Sequence, residues 1–470
     1  MDNIFSRLLP TRITGMDKAV VGKADQNKDK IGIPITVAIF FDGTGNNRNN
    51  VAQRHIAEYN RSHPQAKIDQ EDGIKWSGSY PKNTDEASFN AGYSNVSIME
   101  ALNRKRDLAK REVSLYIEGI GTDNDDGDAL LGSAIGTGST GIPARVLKGI
   151  GLIADTIDEI LKNNNNKFIE SVMIDIFGFS RGAAAARHFI SKLHAQRSLA
   201  DMFGTPKAKV EIKFVGIFDT VSSFSAGSFN NVDSLGLRIG GNAKKIVHIT
   251  AGDEYRKNFS LTDITSSLGN GYELTLPGAH SNIGGGYGEV EDESREVRLD
   301  ELDHYIKHGW YTADETPIQR ENVYSPQTGQ KLYERQFVIG NRKGLRYDYQ
   351  FIPLGIMADC AQQHGAMTLA PLTTRGRFGK YTLPPGRPLL PVQSAIRSQV
   401  QGHGASGRHV LRLLDDARPG TQLALNPDQI RLLRHRFLHR SAGLGFWSDG
   451  RKGMGERREN DKLKREVFHG

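Results

Sequence analysis

A serine becomes a nucleophile when a sharp turn exposes its hydroxyl and a histidine and a carboxylate can reach it. Ser180 stands in Gly178-Phe179-Ser180-Arg181-Gly182. The apolar run Val172 to Phe177 precedes it, and the helix-prone Ala183-Ala184-Ala185-Ala186-Arg187-His188 follows. Strand, Gly-x-Ser-x-Gly and helix together describe a nucleophile elbow. The glycines permit the turn, and the helix N-terminus offers amide donors where an oxyanion would form. In such elbows the order is serine, acid, histidine. Downstream, Asp219 ends the strand-like run Val210 to Phe218, the position such a carboxylate needs. His280 follows the strand-like Tyr272 to Leu276 in Pro277-Gly278-Ala279-His280, ahead of three glycines. Its rivals are His439, at the end of a basic helix over Gln429 to His439, and His248 on a strand. His304 and His308 have metal-ligand spacing but lack the Glu of a zincin motif, and read as surface histidines.

An oxyanion hole needs two amides. One is expected from Arg181, the other from the loop Asp42-Gly43-Thr44-Gly45, through Gly43 or Thr44. Asp42 is read as bracing that loop in an Asx-type turn. Gly43-Thr44-Gly45 lacks the third glycine of a dinucleotide fingerprint. The acidic run Asp123 to Asp128 fails the register of an EF-hand, because Thr122 and Ser133 stand where Asp and Glu are required.

These residues need strands that end together. Ile31 to Phe41, Val113 to Glu118, the run before Ser180 and Val210 to Phe218 read as strands, each ending in a polar or glycine-rich loop. Helical spacing appears over Ser94 to Arg106 and Ala144 to Lys162. Residues 48–90 read as a polar surface excursion, and Leu302 to Trp310 as helical. Alternating strands and helices predict an α/β fold with a mostly parallel sheet, whose reactive groups collect at the strands' C-terminal ends. The expected organisation is an arm over 1–30, a catalytic core over 31–300, and a partly helical region over 301–470 that could supply a lid and a basic membrane- or partner-facing segment.

Composition narrows the classes. The chain has 470 residues, one cysteine (Cys360) and a net charge of +7. A disulfide framework is excluded. Met1 to Lys30 lacks an apolar signal core, and no run is long enough for a spanning helix, so export would use a route that reads no N-terminal signal. From Arg431 to Gly470, eleven Lys/Arg face five Asp/Glu, a surplus that could hold anionic lipid or nucleic acid and otherwise reads as a solvated helical face and frayed tail. No nucleic-acid motif accompanies it, and no nucleic acid is expected as a partner.

Several blocks in order resemble one family: Phe40-Phe41-Asp42-Gly43-Thr44-Gly45-Asn46-Asn47, Tyr116 to Thr122, Gly178 to Ala183, Phe218-Asp219-Thr220-Val221, Asp253 to Phe259, and Pro277 to Tyr287. They resemble the marks of bacterial type VI secretion lipase effectors of the first class, which are α/β-hydrolase phospholipases. The resemblance spans roughly residues 35–290 and thins beyond 300 to Phe351-Ile352-Pro353-Leu354 and Leu438-His439-Arg440-Ser441. It implies a triad of Ser180, Asp219 and His280, cleavage of phospholipid acyl esters without a metal or organic cofactor, and delivery into a rival cell's periplasm. A secretion spike protein and an immunity protein are the implied partners. One position departs: relatives usually read His-Ser-Asp where this chain has His280-Ser281-Asn282. Were that aspartate the triad acid, this copy would be impaired and His439 would be the natural base. A soluble esterase or acyltransferase, and a non-catalytic adaptor on a hydrolase scaffold, are the competing readings.

Overall fold

The computed structural model describes residues 30–78, 87–122, 141–195, 208–223, 230–366, 379–383, 386–402, 406–443 and 455–470. The acidic run at 123–128 and almost all of the expected arm lie outside them. Eight strands form the main sheet: β1 Ile31–Phe41, β2 Glu112–Ile117, β3 Lys167–Phe179, β4 Lys209–Phe218, β5 Lys245–Ala251, β6 Gly271–Leu276, β7 Gly407–Arg412 and β8 Thr421–Gln422. Their order is β8-β7-β6-β5-β4-β3-β1-β2, and all seven pairings are parallel. The chain runs outward from β1 to β2, then crosses back to β3 on the other side of β1. Strand order therefore reverses between β1 and β3, and a crevice opens at their C-terminal ends.

Inner strands of a parallel sheet are covered on both faces, so their sequences are apolar without a break. All seven residues of β5 are buried, as are the last five of β1. Side-chain alternation divides β1 between two cores. Ile35, Val37, Ile39 and Phe41 pack on one face with helices α3 (Ile142–Lys162) and α4 (Arg181–Ala195). Ala38 and Phe40 face the other layer, built on α2 (Asn95–Leu102), α6 (Phe351–Gln363) and α8 (Pro427–Arg436). Helix α3 presents Ile142, Val146, Ile150, Ile153, Ile157 and Ile160 at helical spacing. The buried Ala183 to Ala186 lets α4 lie close on the sheet.

Residues 48–90 are not a surface excursion throughout. Arg48–Ser62 is a helix, α1, with Asn47 as N-cap accepting from the amides of Asn49 and Asn50. Its buried side includes Val51, Ala52 and Ile56, a stripe that the polar residues between them conceal in sequence. Helix α8 ends at Arg436, so His439 lies in the chain beyond it rather than on it. Residues past 300 also enter the sheet, since β7 pairs with β6 from Gly407↔Tyr272 to Val410↔Thr275. Near the chain's end Val467–Phe468 pairs in parallel with Leu261–Thr262, closing over the loop that follows β5.

Candidate active site

Ser180 is the one residue between β3 and α4, with φ of +57°, in the left-handed region that a non-glycine residue rarely adopts. Both flanking glycines are dictated by close approach. A Cβ on Gly178 would lie 2.7 Å from Ala183 Cα, and one on Gly182 would lie 2.2 Å from the Asp42 carbonyl oxygen. The elbow is thus wedged against the end of β1. The Ser180 amide donates to Phe218 O (3.0 Å), and its carbonyl accepts from Ala183 (3.1 Å) and Val221 (3.3 Å). These bonds fasten the serine to the turn that carries Asp219.

Asp219 ends β4 with φ of +39° and is fully buried. Its Oδ2 lies 2.5 Å from His280 Nδ1, and its Oδ1 accepts from the Ala251 amide (2.8 Å). His280 opens the short helix α5 (His280–Gly284). Its ring lies between Phe179, the residue before Ser180 (centroids 4.6 Å), and the edge-on Phe259 (5.0 Å). The imidazole is therefore packed beside the elbow and tethered to Asp219. The residues singled out as Ser180, Asp219 and His280 converge, although 61 positions separate the last two.

A fourth residue completes this array and was not singled out from sequence. Arg465 donates Nη1 to Asp219 Oδ1 (2.7 Å) and Nη2 to Oδ2 (2.9 Å), while its Nε donates to Phe259 O (2.9 Å). In sequence it is one more cation of the basic tail, and no spacing rule ties it to Asp219. Glu254, also unassigned, is fully buried and accepts from the His280 amide (3.2 Å), the Arg256 guanidinium and Ser441 Oγ (2.8 Å).

Burial works to raise the Asp219 carboxyl, but the Arg465 charge and the His280 hydrogen bond outweigh it and hold the acid well below its ordinary value. For His280, burial is the largest influence and lowers the imidazole below 6.5, opposed by Asp219 and assisted by Arg256. The result is an ionised acid beside a neutral base, the protonation state a serine mechanism starts from.

The loop after β1 differs from expectation at one position. Gly43 donates its amide to Asp42 Oδ1 (2.7 Å), while Tyr116 Oη donates to Oδ2 (2.6 Å). The Gly43 amide is occupied by the carboxylate of the residue before it, so it is not a free oxyanion donor. The next residue is better placed: the Thr44 hydroxyl is buried without a partner. Arg181, on the other side, carries a guanidinium that burial lowers to about 10, and it forms no ion pair among the described residues.

His439 is held differently from His280. Asn282 Oδ1 accepts from the Ala279 (3.1 Å) and His439 (3.0 Å) amides, so its NH2 must face Phe437 O (2.9 Å) and His439 Nδ1 (3.2 Å). His439 Nδ1 is then the acceptor and Nε2 carries the proton. That nitrogen is buried without a hydrogen-bond partner, 3.9 Å from Glu291 Oε2, and burial lowers the ring to about 4. A nitrogen that already bears a proton cannot take one from a serine. Asn282 ties the 437–439 chain to α5, which is a structural task.

His248 is likewise a framework residue, between Glu273 (3.0 Å) and the Thr220 amide (3.2 Å). The rings of His304 and His308 lie 4.0 Å apart, and no group of three potential ligands able to hold a metal occurs among the described residues. A cavity of about 550 Å³ borders Tyr255, Tyr305, Trp310 and His439, but none of Ser180, Asp219 and His280 lines it. Its size does not mark the chemistry.

The parallel sheet, the switch-point crevice and the serine elbow define the α/β-hydrolase class. Residues 200–305 match the family model described as type VI secretion system phospholipase effector Tle1-like, catalytic domain. Among solved structures it is similar to a Tle1 effector bound to the VgrG spike of the Type 6 secretion system. Identity there is 23%, coverage is 94% of each chain and the TM-score is 0.59. A second likeness, to an uncharacterized protein from Pseudomonas aeruginosa, has 16% identity, covers 85% of this chain and 55% of that one, and has a TM-score of 0.44. No curated protein matches the chain. No helix among the described residues is long and apolar enough to cross a membrane.

Proposed function

We propose that the chain is a serine phospholipase of the A type, hydrolysing acyl esters of membrane glycerophospholipids. The observation that carries this reading is the 2.5 Å contact between buried Asp219 and His280, whose ring packs on Phe179, the residue before an elbow serine at φ +57°. Ser180 Oγ attacks the ester carbonyl as His280 Nε2 takes its proton. Asp219 fixes the tautomer with the proton on Nδ1 and stabilises the imidazolium. The amides of Arg181 and Thr44 bind the oxyanion. The tetrahedral species collapses as His280 returns its proton to the departing lysophospholipid alkoxide. Water, activated by the same imidazole, then releases the fatty acid from Ser180. The Arg181 guanidinium, one residue from the nucleophile and without an ion pair among the described residues, suits a substrate that carries a phosphodiester.

The likeness to a spike-bound effector supports delivery by a type VI apparatus, with a spike protein as partner. The deciding experiment is fatty-acid release from bacterial phospholipid vesicles by wild type, Ser180→Ala, His280→Ala and His439→Ala. Release is expected to vanish in the first two variants and persist in the third. Activity surviving Ser180→Ala in folded protein would refute the mechanism.

A further inference from the structure

The segment 457–470 lies behind the proposed triad. It is fastened at several points: Val467–Phe468 on Leu261–Thr262, Glu466 on Ser260 Oγ (2.7 Å) and on both Arg457 nitrogens (2.9 and 2.8 Å), and the Gly470 amide on Asp263 Oδ1 (3.0 Å). From this strap a single guanidinium reaches the triad. Arg465 places its parallel fork on the Asp219 carboxylate, a third bond on Ala251 O (3.2 Å), and Nε on the carbonyl of Phe259. The Phe259 ring is the one set edge-on to His280. One side chain thus locks both the carboxylate and the wall that confines the imidazole. The side chain is 9% exposed and the carboxylate is fully buried, so the geometry is desolvated and fixed.

We infer that Arg465 is a positioning residue for the hydrolysis: it holds Asp219 aimed at His280 from the opposite side, and the triad is complete only with this strap docked. The inference rests on the reading of Ser180, Asp219 and His280 as a triad. Two consequences separate it from a merely structural ion pair. A carboxylate gripped by a fork cannot rotate, so losing the fork lowers turnover with little change in substrate affinity. A cation beside the acid also opposes charge on the neighbouring imidazole, so removing it moves the acid limb of the rate profile to higher pH. The other charged or titratable groups facing the pair are Glu254, Arg256 and His248, and they are untouched by the substitution.

The test compares wild type, Arg465→Met, Arg465→Lys and Arg457→Met on vesicles across pH 5 to 9, with circular dichroism and melting as folding controls. Arg457→Met removes an ion pair elsewhere on the strap, which stays docked through Val467–Phe468 and Gly470, without touching Asp219. For Arg465→Met a kcat loss of roughly 10²-fold with KM within about twofold is expected, and an acid limb about one unit higher. Arg457→Met should keep the wild-type profile. Arg465→Lys keeps the charge and loses the fork, so kcat should fall about tenfold with the limb unmoved; it carries the test if Arg465→Met does not fold. Full kcat in either folded Arg465 variant, or the same loss in Arg457→Met, would overturn the inference. A wild type without lipid turnover but labelled at Ser180 by a fluorophosphonate would displace the phospholipid reading alone. The same four proteins would then be compared by labelling rate.

Discussion

Asp219→Asn is the substitution whose two effects can be pulled apart. In the native site both oxygens are acceptors: Oδ1 for Ala251 and Arg465, Oδ2 for His280 and Arg465. An amide supplies one oxygen and one NH2. Whichever way it turns, a donor faces a guanidinium donor. If the NH2 faces His280, Nδ1 must become the acceptor and the proton moves to Nε2, where it blocks the transfer from Ser180. The expected loss in kcat is ~10⁴-fold, about 5 kcal/mol at 1.4 kcal/mol per tenfold. The second effect is on stability. Arg465 would be left desolvated without its counter-charge, and breaking such a pair from one side costs about 3–5 kcal/mol.

A double-mutant cycle separates the two. Urea unfolding and kcat on phospholipid vesicles would be measured for Asp219→Asn, Arg465→Met and the double variant. The double variant should be more stable than Asp219→Asn, because the stranded charge is gone, yet no more active. Equal instability in the single and double variants would show that the guanidinium is not the stranded group. A kcat within tenfold of wild type in Asp219→Asn would refute the tautomer argument itself.

Further outcomes follow from the same geometry. Thr44→Val should lower kcat roughly 10²-fold at constant KM if the hydroxyl adds to the oxyanion contacts, with Thr44→Ser restoring most of it, measured on a soluble acyl ester. His280 sits below its ordinary value, so the acid limb of kcat/KM should have its midpoint below pH 6.5. His439 falls to about 4, so the unfolded chain binds the extra proton between 6.5 and 4. Stability from this group is present above 6.5 and is lost as pH falls to 4, roughly 3 kcal/mol, and urea midpoints of wild type and His439→Leu against pH would show it. Gly182→Ala drives a Cβ onto the Asp42 carbonyl at 2.2 Å, backbone against backbone, and should lower the melting temperature and abolish lipid turnover together.

The parts legible in sequence are those whose signal is local. The elbow announces itself because strand, glycines and helix are contiguous, and Asp219 and His280 because each follows a strand in the order such folds use. The apolar runs of β1, β3 and β4 predicted an α/β fold with a mostly parallel sheet, and the eight parallel strands accord with it. Helix α1 was hidden because only a narrow stripe of its 15 residues is apolar, and polar residues such as Asn50 and Gln53 are themselves buried. The Gly43 amide reads in sequence as an oxyanion donor, but the Asp42 carboxylate that braces the loop engages it. A sequence names both possibilities and cannot choose between them.

The basic tail shows why charge counting fails at longer range. Its surplus reads as a solvated face or a surface for anionic lipid, yet Arg434 is paired with Asp415, Arg440 with Glu456, Arg457 with Glu466 and Arg458 with Glu301. Arg465, 246 positions from Asp219, grips the proposed triad acid. A cation's partner is fixed by the fold, so a run of arginines is equally the signature of a solvated face and of a clamp. Desolvation discriminates: a guanidinium 9% exposed over a fully buried carboxylate would be costly unless both ends of the pair were held, and here each end is. The tail's cations therefore bear first on the assembly of the site. The proposed attraction to a membrane would then rest on cations without an ion pair among the described residues, and Arg181, outside the tail, is one that stands next to the proposed nucleophile.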